Sequence, residues 1–167
     1  MINRCFSNAL LVIATTLAAL AITAASHAAE LGVSPSGRHL TVQGQPFFWL
    51  GDTVWLLAQV PSRDELELYL RTRAEQGFTV IQLTAVMGEE RVWGTARRTT
   101  RGDAPFVEND VLKPAVTPGN DPADAIQYDY WDHLDYVLER IHAHGFRAAL
   151  VPTSSGGVAK DTSSSNL

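Results

Sequence analysis

The chain has 167 residues, 13 Lys and Arg against 18 Asp and Glu, a formal charge of −5 at pH 7 and 46% hydrophobic residues. That mild acidity argues against nucleic acid or an anionic membrane surface as a partner. The single cysteine, Cys5, precedes the apolar N-terminal run, so neither a disulfide framework nor a lipidated first mature residue is expected.

Arg4 leads into an apolar run from Ala9 to Ala25, and Ser26 and Ala28 then place small residues where a signal peptidase reads. Residues 1–28 are expected to be a cleaved secretory signal, giving a secreted or periplasmic product with no stable membrane insertion after cleavage. An uncleaved anchor is the alternative, but Thr15, Thr16 and Thr23 interrupt the run and no basic stop follows it.

Leu31–Val42, with turn residues at Ser34-Pro35-Ser36-Gly37 and Gln43-Gly44-Gln45-Pro46, predicts a short β-hairpin. Phe47–Leu50 then reads as the first interior strand, delivering Gly51-Asp52-Thr53 to its end with Trp55 just beyond. Ser62–Gln76 predicts a helix: Ser62 and Glu65 make a capping-box pattern, Leu66, Tyr69, Leu70 and Arg73 share a face, and Gly77 is a stop. Phe78–Thr84 is the second strand. Ala85–Gln127 shows no stable periodicity and is far longer than an ordinary connection. It carries Trp93 and Phe106, a mixture suited to a packed lid or substrate wall, with a purely structural excursion as the alternative. Tyr128–His144 predicts the second helix, with Asp129 as its cap and Gly145 as its stop, and Phe146–Thr153 predicts the third strand. The Ser/Gly-rich tail, 154–167, is expected to be disordered.

This order predicts an α/β fold, the N-terminal portion of a (β/α)8 TIM barrel with about three parallel strands and two helices after a short β-hairpin, over residues 31–153. Three parallel strands with two crossover helices leave part of the sheet uncovered, and the sudden tail reads as a truncated or frameshifted end.

In a β/α barrel the binding side is the C-terminal edge of the strands. There Asp52 can accept hydrogen bonds from sugar hydroxyls, Gln82 can donate and accept, and Trp55 or Trp93 can stack on a sugar ring. The blander roles are a turn cap for Asp52 and backbone satisfaction for Gln82. His133 lies four residues after Asp129, but His142 and His144 are more than two turns further on, so no metal is expected, and no cofactor motif appears. Gly156-Gly157 lacks the flanks of a phosphate loop, and Thr153-Ser154-Ser155 lacks a base partner. Glu89, Glu90, Asp103, Glu108 and Asp110 offer a glycosidase-like carboxylate pair only if the long loop is rigid.

Several separated segments resemble one family. They are Gly37-Arg38-His39-Leu40, Gly44 through Trp55, Tyr69-Leu70 with Arg73-Ala74, Gly77 through Gln82, Gly102-Asp103 with Pro105-Phe106, Tyr130 through Val137, and Gly145-Phe146 with Leu150 through Thr153. In this order they resemble the apiosidase-like glycoside hydrolases over roughly residues 33–153. The resemblance implies a secreted retaining glycosidase that acts on plant-type polysaccharide side chains, with pectic or related oligosaccharide as its carbohydrate partner. It implies catalytic carboxylates after the fourth and seventh barrel strands, so that no catalytic residue falls within this chain. Asp52, and more weakly Trp55 and Gln82, carry over as pocket residues. Where the family tends to continue Pro-Thr with Trp-Gly, this chain has Ser154-Ser155. The chain alone is therefore expected to be inactive. Two alternatives stand beside this: a small secreted carbohydrate-binding or interaction protein without catalysis, and a small enzyme using Glu89 or Glu90.

Overall fold

The protein is described by a computed structural model covering residues 30–89 and 92–153, without the side chains of residue 89 and residues 92–95. The expected signal at 1–28, the expected tail at 154–167 and Glu90 lie outside the described residues. The chain divides into two compact units, one ending at Phe47 and the other beginning at Phe48.

In the first unit the expected hairpin is a three-stranded antiparallel sheet, β1 (Leu31–Val33), β2 (Leu40–Val42) and β3 (Gln45–Phe47), in that spatial order. Gln43 and Gly44 both take left-handed backbone angles, φ 51° and 74°, as a tight two-residue hairpin turn requires. That turn is shorter than the four residues expected, so Gln45 and Pro46 join β3. Pro46 is tolerated there because β3 is an outer strand.

The second unit holds β4 (Gly51–Thr53), α1 (Arg63–Glu75), β5 (Val80–Val86), β6 (Gly88–Glu89), β7 (Val92–Ala96), a 3-10 turn at Val107–Asn109, α2 (Tyr130–Ala143) and β8 (Arg147–Thr153). β4, β5 and β8 form a parallel sheet in that order, with Asp52 opposite Ile81, Thr53 opposite Gln82 and Leu83 opposite Leu150. This is the expected opening of a β/α barrel: three parallel strands, two crossover helices and no closure among the described residues. The first strand differs from expectation. Residues 48–50 are tied off by Thr79, whose hydroxyl bonds the Phe48 carbonyl and whose N–H bonds the Leu50 carbonyl, so ladder pairing starts only at Gly51.

Both helices begin as their sequences dictate. Ser62 and Glu65, and likewise Asp129 and Asp132, cap each other reciprocally. Gly77 and Gly145 follow the helices at φ 81° and 86°, a conformation that costs a side chain dearly. Leu66 and Leu70 of α1 and Leu134, Val137 and Ile141 of α2 close over Ile81, Leu83 and Ala85 on one face of β5. Glu67 of α1 accepts hydrogen bonds from Arg140 of α2 and from His144 just after it, which hold its carboxyl down at about 2.

The long connection, read as lacking regular structure, contains the antiparallel pair β6–β7 and a compact turn closed by a bridge between Phe106 and Pro114. Periodicity could not show these, since β6 and β7 meet with a register shift and the turn is held by the loop's own backbone bonds, Val107 to Lys113 and Ala115 to Pro105. β8 has one strand neighbour among the described residues, and along it exposed Ala148, Leu150 and Pro152 alternate with half-buried positions. Among the described residues no helix is long and apolar enough to cross a membrane.

Candidate functional site

Parallel strands joined by helices bring the strand C-termini and helix N-termini to one side of the sheet. Tyr130, the first residue of α2, shows this directly by donating its hydroxyl to the carbonyl of Ala85 near the end of β5, at 2.6 Å. In a β/α barrel this is the side on which ligands bind.

Register decides which of the expected residues face which way. Asp52 pairs with Ile81, and Ile81 belongs to the core beneath the helices, so the Asp52 carboxylate rises from the helix-bearing face. There Tyr69 of α1 donates to its Oδ2 at 2.8 Å and Arg73 Nε donates to the same oxygen. Partial burial pushes the carboxyl up, but the bonds from Tyr69 and Arg73 outweigh it and keep it below its ordinary value. Burial and the bond to Asp52 push the Tyr69 phenol up in turn. Arg73 also lies over the rings of Tyr69 and Phe78.

Gln82 pairs with Thr53 and Ala149 on the opposite face, the one that points into a barrel. It is half-buried, and its side-chain amide has no hydrogen-bond partner among the described residues. Its carbonyl accepts the N–H of Val54 at 2.8 Å, which brings the β4–α1 connection, and with it Trp55, alongside β5. Trp55 is 44% exposed. Gln82 and Trp55 thus share one rim, whereas Asp52 is turned to the helix layer. Trp93 falls in β7, and its side chain lies outside the described ones, as do those of Glu89 and Glu90.

Two further residues organise this rim: sequence reasoning passed over Gln59 and gave Thr84 only a place at the end of the second strand. Gln59 is 2% exposed and donates from Nε2 to the Ala85 carbonyl and to the Tyr130 hydroxyl. Thr84 donates its hydroxyl to the Trp55 carbonyl at 2.5 Å. The only available signal was polarity out of place, Gln59 in the apolar run Leu56–Val60 and Thr84 within a strand. An apolar cavity of about 370 Å³ opens between the same connection and α1, lined by Val54, Leu57, Val60 and Tyr69 among others.

Around the helix N-termini the long connection is pinned down. Trp131 donates its indole N–H to Pro105 and packs edge-on against Phe106, and Thr117 donates its N–H and hydroxyl to Asp129. Arg63 donates to the Tyr128 hydroxyl at 2.9 Å and lies 4.0 Å above the Tyr136 ring, while Arg101 lies over Tyr128. His133 is buried between Tyr128 and Tyr136, with Nδ1 unpartnered among the described residues. Burial pushes its imidazole below the ordinary value, and the nearby Arg63 and Arg101 act in the same direction. It stands with aromatic and cationic neighbours, and no group of His, Cys, Asp and Glu among the described residues is arranged to hold a metal.

Comparison with solved structures agrees with this geometry. The fold is similar to a glycoside hydrolase at 29% identity and a TM-score of 0.59, over 78% of this chain and 26% of that protein. It is also similar to a family 5 glycoside hydrolase from Bacteroides vulgatus at 28% identity and a TM-score of 0.59, over 73% of this chain and 24% of that protein. The chain thus spans about a quarter of the length of the solved structures it resembles. No curated protein matches it. The apiosidase-like catalytic domain matches residues 34–166, running past residue 153, where the resemblance read from the sequence stopped. The chain belongs to the apiosidase-like catalytic-domain family.

Proposed function

We propose that this chain forms the opening β/α units of an exported glycosidase that acts on side chains of a plant-type polysaccharide, pectic or related, through a retaining two-carboxylate mechanism. The carrying observation is the rim on the barrel-facing side of the sheet: Gln82, whose amide has no hydrogen-bond partner among the described residues, lies on β5, and Trp55, 44% exposed, stands on the connection that the Gln82 carbonyl holds against that strand. An amide can donate to and accept from sugar hydroxyls, and an indole offers a flat apolar surface to a ring face. Asp52 acts through its neighbours in this reading: by gripping Tyr69 and Arg73 it sets β4 against α1, and so sets the stretch that leads to Trp55.

The reaction needs a carboxylate nucleophile and a carboxylic acid about 5 Å apart across the scissile bond. The rim described here supplies neither, so in this reading the pair stands on later strands and the chain alone holds sugar without cleaving it. The test is to mix the purified product with pectin-derived oligosaccharides, following binding by calorimetry and cleavage by reducing-end release. Saturable binding without release is expected. Turnover by the chain alone overturns the division of labour, and absence of binding overturns the sugar-facing rim. Export is tested separately, by N-terminal sequencing of the product found outside the cytoplasm, which is expected to begin at Ala29.

A further inference from the structure

The rim tryptophan sits on backbone that is stitched to two consecutive residues of β5. Thr84 is fully buried, and both its hydroxyl and its N–H reach the Trp55 carbonyl, at 2.5 and 3.3 Å. At Ala85 the carbonyl accepts from Gln59 Nε2 at 3.2 Å, and that same nitrogen reaches the Tyr130 hydroxyl at the start of α2. The five residues from Trp55 to Gln59 are therefore fixed at both ends, with Leu57 and Ala58 buried between them. Of these five residues Trp55 is the exposed one, at 44%, and Leu56 is half-buried. Valine would fill the space of Thr84 equally well, so volume does not explain a hydroxyl there. A buried hydroxyl is worth keeping where its hydrogen bond does a job, and its bond here goes to Trp55.

We propose that Thr84 is a positioning residue: its hydroxyl fixes the Trp55 backbone and so presents the indole as a rigid platform for the ring face of a saccharide. This rests on the sugar-facing rim described above. A platform held rigid loses less freedom on binding than one that must first be ordered, which is how a residue out of reach of the ligand raises affinity.

The test compares Thr84→Val, which removes the hydroxyl at constant shape, with Thr84→Ser, which restores it. Trp55→Phe serves as the spectral reference that isolates Trp55 from the other tryptophans. Acrylamide quenching of Trp55 is read without ligand, and the dissociation constant is read by calorimetry with pectin-derived oligosaccharides. Thr84→Val is expected to raise the quenching of Trp55 and to weaken binding about three- to tenfold, the worth of one hydrogen bond. Thr84→Ser is expected to return both to within about twofold of the parent. Should Thr84→Val fail to fold, Thr84→Cys gives the contrast, since its thiol is close in size to the serine hydroxyl but only a weak donor. Parental quenching and affinity in a folded variant lacking the hydroxyl overturn the proposal. Changed quenching, in a parent that binds no saccharide, supports the hold of Thr84 on Trp55 and overturns the sugar-binding reading instead.

Discussion

His133 shows how packing chooses a protonation state. It lies buried between Tyr128 and Tyr136 with Arg63 and Arg101 close by and only Asp103 pulling the other way, so the folded chain holds it neutral. The unfolded chain takes up a proton near pH 6.5. Stability is therefore complete above that pH and declines as pH falls from about 6.5 toward the lower value of the folded state. Replacing His133 by Phe, which keeps an aromatic ring in the slot, is expected to flatten this decline in urea midpoints measured from pH 7.5 to 5. An equally steep decline in the variant assigns it to other groups. Asp52 marks the limit of reading single residues from sequence. Its place near a strand end was legible, but its facing depends on the register with β5. Register places Asp52 opposite Ile81 rather than Gln82, and that turns the carboxylate toward Tyr69 and Arg73.

Among the elements, the helices were the most legible, because their ends carry local chemistry. Ser62 with Glu65, and Asp129, were visible as caps, and Gly77 and Gly145 as stops. Gly145→Ala is expected to cost about 1–2 kcal/mol, since it forces a Cβ into the left-handed region at φ 86°. Chemical denaturation measures the loss, and Gly145→Asn is expected to recover part of it, as asparagine tolerates that region better. A cost within error for Gly145→Ala means that the turn relaxes to another conformation. The long connection was illegible for the opposite reason. Besides the loop's own backbone bonds, its order comes from contacts more distant in sequence, such as Trp131 with Pro105 and Thr117 with Asp129, which leave no periodic trace.

For the molecule as a whole, the order of strands and helices carried most of the fold, since alternating β and α units admit few arrangements besides a parallel sheet with right-handed crossovers. The core follows from that order: one face of β5 is covered by α1 and α2 together. Leu83 lies at its centre with no exposure, and Leu83→Ala is expected to cost about 3 kcal/mol. Loss of far-ultraviolet dichroism in urea is expected to stay a single transition with a lower midpoint. A variant that keeps the parental midpoint shows that the helices do not depend on their shared contact with β5. The far side of the sheet has a different consequence, set by one proline. Arg147 gives its N–H to Thr79, so alternate residues of β8 turn their backbone groups toward β5, and Ala148, Leu150 and Pro152 turn theirs away. Pro152 has no N–H to offer. Where no strand lies on this margin, as among the described residues, a polypeptide that templates itself on it finds two donors followed by a gap, which limits recruitment to registers that spare the gap.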